Sequence, residues 1–117
     1  MREAEVVDHF GRWLESEGWH VELEVNWVDI TATRDGRTIL AEAKGRTAAI
    51  GLDVDTAYGQ LLRRMTDNPS TAYALVVPSA ATPAALRVPD HVLTTLRLSV
   101  FSVAEDGTVQ LEAGSSL

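Results

Sequence analysis

The sequence predicts an α/β sandwich around a mixed β-sheet, and three observations carry that prediction. Val6, Val7, Phe10, Trp13 and Leu14 recur at helical spacing, which gives an amphipathic helix near the start of the chain. Asp35-Gly36 stands between two alternating segments and is a strong two-residue hairpin signal. Residues 72–77 are almost wholly apolar and short, the pattern of a strand covered on both faces. Helical and strand patterns alternate along the chain, so the layers are helices packed on a sheet.

Taken in order, residues 3–17 form the first helix, closed by Gly18 as a C-cap. His20 to Val25 alternates as a strand, and residues 27–34 form the second. The Asp35-Gly36 turn leads into a third strand over residues 38–44. Residues 45–52 form a loop, and residues 53–66 a second helix with Val54, Ala57, Tyr58, Leu61 and Met65 on its apolar face. Asn68-Pro69-Ser70 breaks the chain before the apolar strand. Residues 83–97 are helical with an interruption at Pro89, because proline cannot continue the ladder. Residues 98–103 form another strand, and Gly107 turns a last, weak hairpin. The order αβββαβαβ makes one domain over residues 1–112, with 113–117 expected to fray.

Composition limits the function classes. The 117 residues are 45% hydrophobic and 23% charged, ordinary for a soluble globular chain. The absence of cysteine removes disulfides, iron–sulfur clusters, thiolate zinc sites and cysteine nucleophiles. No run approaches the ~20 apolar residues of a membrane span, so no membrane association and a cytoplasmic location are expected. The net charge of −7 disfavours broad, non-specific attraction to nucleic acid. Only residues 34–64 run against it, with six basic and four acidic groups.

The hairpin carries the chemistry. With Asp35-Gly36 as the turn, Arg34 faces Arg37, and counting outwards Asp29 faces Glu42 and Trp27 faces Lys44. Alternation puts Trp27, Asp29, Thr31, Leu40, Glu42 and Lys44 on one face. Val28, Ile30, Ala32, Ile39, Ala41 and Ala43 form the other, an entirely apolar core face. Carboxylates facing each other across a ladder repel, so stability alone does not select them. A divalent cation reverses the sign, and Mg²⁺ takes only one or two carboxylates from a protein. Lys44 is the single lysine beside nine arginines, and its compact, titratable ammonium is different chemistry from a guanidinium.

Asp29, a hairpin, then Glu42-Ala43-Lys44 resembles the PD-(D/E)xK superfamily of restriction-endonuclease-like nucleases, and the element order is similar to its small resolvase-like and Mrr-like members. The resemblance covers residues 3–77 and implies a restriction-endonuclease-like α/β/α sandwich with a central mixed sheet: an αβββαβ core plus a C-terminal αβ unit. Val28 stands where the motif has proline. The implied activity is metal-dependent hydrolysis of phosphodiester bonds. Asp29, Glu42 and the Ala43 carbonyl would hold Mg²⁺, or Mn²⁺ in its place, and Lys44 would orient or deprotonate the attacking water.

Supporting residues follow the same resemblance. Many relatives carry an acid on the first helix, and Glu3 falls within the apolar stripe whereas Glu5 falls opposite it. Glu3 is therefore the candidate metal-site carboxylate; an acid answering the helix dipole is the competing role for both. Gln60 and Arg64, four apart on the second helix, would contact a metal-bound water or the substrate and a phosphate, or form a polar helix flank. Arg46 would contact the nucleic-acid backbone or stand solvated, and Trp27 would stack on a base or pack beneath the first helix.

The function expected is a Mg²⁺-dependent DNA nuclease, acting as a homodimer or with a partner subunit that supplies basic surface. Two alternatives stay open: a catalytically inactive nuclease-like binding module of a larger complex, and an RNA-directed nuclease.

Overall fold

A computed structural model describes all 117 residues. Helix α1 (Glu3–Ser16) precedes an antiparallel meander of β1 (His20–Val25), β2 (Val28–Arg34) and β3 (Arg37–Ala43). Helix α2 (Ile50–Arg64) then crosses to β4 (Thr71–Pro78), which pairs parallel to β3. A 3₁₀ turn (Ser79–Ala81) and two short helices, α3 (Thr82–Ala85) and α4 (Asp90–Thr95), lead to β5 (Leu98–Val103), parallel to β4. The antiparallel edge strand β6 (Val109–Ala113) completes a six-stranded mixed sheet ordered β1-β2-β3-β4-β5-β6.

The topology decides the layers. Both parallel crossovers step the same way along the sheet, and right-handed connections then place their helices on one face. On that face Val54, Ala57, Tyr58, Leu61, Ala81, Ala85 and Leu93 pack on Tyr73, Leu75, Val77, Leu98 and Val100. Helix α1 covers the other face, with Val6, Phe10 and Leu14 against Ile30, Ala32, Ile39, Ala41, Ala43, Ala74, Val76, Phe101 and Val103. The result is the α/β/α sandwich with a central mixed sheet that the sequence predicts.

Register agrees on the turn: Arg34 pairs with Arg37 and Ile30 with Ala41. The regular ladder ends there, however, and the expected pairing of Trp27 with Lys44 does not form. Val25 pairs with Val28, so Asn26-Trp27 is a second two-residue turn, with φ of 52° and 66°. A residue closing the β1–β2 turn cannot also lie in the β2–β3 ladder. Trp27 consequently does not pack beneath α1 and is 91% exposed.

The expected fraying from residue 113 is also corrected. Ala113 pairs with Val100, the Gly114 amide donates to Asp90 Oδ1 at 2.8 Å, and Ser99 Oγ donates to the Ser115 carbonyl. Gly114, at φ 87°, lies so close to β5 that a Cβ would stand 2.3 Å from the Leu98 oxygen. The tail is polar in sequence, but these contacts dock it.

Two contacts on the way to the site yield predictions. Tyr58, buried on α2, donates its hydroxyl proton to the Ala85 carbonyl, and burial pushes its pKa up to about 12. Tyr58→Phe leaves that carbonyl without its donor and is expected to cost about 1 kcal/mol in urea unfolding. Gly45 follows β3 where the start of α1 comes against it: a Cβ there would lie 2.2 Å from the Glu3 nitrogen. Arg46 N–H donates to the Met1 carbonyl at 2.7 Å beside it. Gly45→Ala has to push α1 away from the end of β3, and a loss of about 1–3 kcal/mol is expected by the same measurement.

Candidate active site

The end of β3 gathers the sequence's candidates because four elements meet there. Asp29 is the second residue of β2, Glu42 lies at the end of β3 with Lys44 just beyond it, Gly45 brings up the start of α1, and α2 lies over the face that carries Glu42. Asp29 Oδ2 accepts the Ala43 amide at 2.9 Å, replacing a ladder bond with a side-chain bond. This ties Asp29 to the Glu42-Ala43-Lys44 strand end.

Glu42 is only 3% exposed. As part of a solvated polar face it would have been open to water; instead β3 is central and α2 covers that face. Arg64 reaches from the last turn of α2 to donate to Glu42 Oε1 at 3.1 Å, and its Nη2 donates to the Trp27 carbonyl at 2.7 Å. The Asp29 carboxyl group stands close enough to Glu42 for a hydrogen bond to form when one of the two is protonated. Burial, that bond and the charge of Asp29 push the Glu42 pKa up to about 7, against the opposing pull of Arg64. A buried carboxyl group beside a second, half-buried one favours a bound proton or a neighbouring cation, and Arg64 supplies one such charge.

The remaining candidates surround this pair. Glu3 is exposed at the mouth; its pKa is raised by partial burial and by Asp29, with Lys44 opposing. Glu5 turns instead to Arg2, whose Nε donates to it at 2.9 Å. Lys44 is half-buried, and its amide donates to the Val76 carbonyl in the sheet. Gln60 is half-buried, one turn before Arg64, and its Oε1 is a buried acceptor with no donor. Arg46 is exposed and lines a separate cleft of about 220 Å³ with Thr47, Pro78 and Glu105. Arg64, read from sequence as a phosphate contact, is held by Glu42 and the Trp27 carbonyl.

Two residues at this mouth gave no signal in sequence. Glu24, at φ 55°, lies across from Asp29 and lines a cleft of about 430 Å³ with Glu3, Asp8 and Asp29. Its alternating strand pattern conceals the left-handed backbone. Asp53, in the first turn of α2, accepts from the Thr47 hydroxyl and raises the Glu3 pKa.

Whether these residues suit a divalent cation can be judged from the donor set. No three His, Cys, Asp or Glu side chains converge on one point, so Glu3 does not complete a three-carboxylate cage. What converges is the Asp29–Glu42 pair. That pair fits the way Mg²⁺ binds when a protein supplies one or two carboxylates and water or substrate supplies the rest.

No protein-family model and no curated protein matches the chain. No helix is long and apolar enough to cross a membrane. Among solved structures, the chain is similar to an XisH family protein from Nostoc punctiforme, with 22% identity, a TM-score of 0.59, and coverage of 92% of this chain and 98% of that one. It is similar also to an FdxN element excision controlling factor protein from Anabaena variabilis, with 21% identity, a TM-score of 0.62 and the same coverage. At these identities the likeness is one of fold, and it spans nearly the whole of both chains.

Proposed function

We propose that the chain is a metal-dependent nuclease of the PD-(D/E)xK type, with DNA as its substrate. The observation that carries the reading is the burial of Glu42 against Asp29 at the end of β3, with the chain's only lysine two residues on. Setting one carboxyl group beside another in a part-buried site costs stability, so the pair points to a use in chemistry. The name of one neighbour, an element excision controlling factor, suits DNA as the substrate, because excision requires strand cleavage.

In this reading Asp29, Glu42 and the Ala43 carbonyl would hold Mg²⁺ or Mn²⁺, which would supply Lewis-acid stabilisation of charge developing on the phosphate. Lys44 orients the attacking water toward phosphorus by hydrogen bonding. The Ala43 amide fixes the Asp29 carboxylate, and Arg64 fixes that of Glu42. Glu3 and Gln60 face the water and substrate that complete the site, and Arg46 contacts backbone phosphate. A second copy or a basic partner offsets the charge of −7.

The test is cleavage of a panel of duplex, single-stranded and branched DNA and of RNA, with Mg²⁺, Mn²⁺ or EDTA. Metal-dependent cleavage of DNA is the expected result; cleavage of RNA alone would move the substrate. One observation favours a second reading, a non-catalytic binding module: Arg64 already neutralises Glu42 without any metal. Silence across the panel together with no Mg²⁺ binding is the result that reading expects.

A further inference from the structure

The turn that carries Trp27 is costly in two ways. Glu24, Asn26 and Trp27 all have left-handed backbones, three of the five such non-glycine residues in the chain, packed into four positions. Two-residue turns with positive φ at both positions favour Asn followed by Gly; a bulky residue in the second place is strained. The strain does not serve to bury the indole, since Trp27 is 91% exposed while Trp19 is 4% exposed and Trp13 half-buried. Strain spent on displaying an aromatic ring points to a use for the ring.

The mount is firm and connected to the site. The Trp27 carbonyl accepts from Arg64 Nη2 at 2.7 Å, and the same guanidinium donates to Glu42 at 3.1 Å. Val25–Val28 pairing closes the turn from the other side. The Trp27 backbone is therefore tied through Arg64 to one carboxylate of the Asp29–Glu42 site, and its indole is open to solvent.

An aromatic face takes a nucleobase by stacking, an attraction that does not depend on net charge. That suits a chain of charge −7, which cannot rely on phosphate attraction. A base inside a duplex has both faces covered by its neighbours, whereas an unpaired base offers one. We infer that Trp27 is a base-stacking platform that directs this site to nucleic acid with unpaired bases beside the attacked phosphate: single strands and branch points rather than continuous duplex. The inference rests on the nuclease reading for the role of the neighbouring carboxylates.

Binding and cleavage separate the two. Total tryptophan emission and the anisotropy of end-labelled probes are followed while a single-stranded oligonucleotide, its blunt duplex and a branched duplex are titrated in EDTA, where cleavage is off; the quenching that disappears in Trp27→Ala is the signal of Trp27, and anisotropy gives the affinity of both proteins. Quenching by the single-stranded and branched probes, with weaker binding of duplex, is expected. Trp27→Ala should lose about tenfold or more in single-strand affinity, and Trp27→Phe should recover most of it. In Mg²⁺, Trp27→Ala should raise KM on single strands far more than it lowers kcat. Equal affinity of wild type and Trp27→Ala, equal preference for duplex, or no binding at all overturns the platform. So does a fall in oligomeric mass on Trp27→Ala, which would make the indole a contact between copies. Cleavage with an unaltered KM in Trp27→Ala removes the platform and leaves the nuclease; stacking without cleavage under any metal removes the nuclease and leaves the platform.

Discussion

Lys44→Ala is expected to lower metal-dependent cleavage by about 10²–10⁴-fold, the range for losing a group that positions or transfers the proton of the attacking water. Glu42→Gln should do at least as much damage by another route. The amide keeps the volume of the carboxyl and the contact with Arg64, and it removes the charge that would hold a cation. Glu42→Gln should nonetheless fold as well as the wild type at neutral pH, because it no longer sets two carboxyl groups against each other. A residue whose replacement removes activity without loss of stability is one kept for chemistry. The measurements are initial rates on the best DNA substrate and urea midpoints of the same preparations. Cleavage by Lys44→Ala at the wild-type rate overturns its role.

Much of this arrangement was legible in the sequence, and what was missed has identifiable causes. Asp35-Gly36 set the β2–β3 register, and the apolar set Val28, Ile30, Ala32, Ile39, Ala41 and Ala43 is buried as read, all but Val28 in the cluster that packs with α1. Alternation marks the opposite face as polar and does not tell whether a crossover helix covers it, so the burial of Glu42 comes only from the fold. The spacing of Gln60 and Arg64 placed both on one flank of α2, but only the fold gives Arg64 its partner in Glu42. The Asn26-Trp27 turn was invisible because it lacks the glycine that announces such turns, and Glu24 because a left-handed residue inside a strand leaves no mark in alternation. The local rules failed chiefly within residues 24–29, beside the proposed site, where strain is most often kept for function.

The second large effect is a pH dependence that the metal should abolish. The Glu42 pKa is raised from 4.5 to about 7, so the folded protein holds a proton that the unfolded chain releases. The stabilisation is complete below pH 4.5 and is lost as pH rises through about 7. The largest loss this shift allows is about 3 kcal/mol, reduced by whatever water reaches the pair. In EDTA the urea midpoint of the wild type should therefore fall between pH 5 and 8, while that of Glu42→Gln, which mimics the protonated form, should stay flatter. Comparing the two removes the background from the three histidines. At pH 8 both carboxyl groups are ionised and suited to a cation, so Mg²⁺ at a hundred times its dissociation constant should return about 2.7 kcal/mol to the wild type. It should return little to Glu42→Gln. Protein whose midpoint tracks that of Glu42→Gln at every pH, and which does not respond to Mg²⁺ at pH 8, would show that Arg64 alone balances Glu42. The carboxyl pair would then be a structural ion-pair cluster and not a metal site.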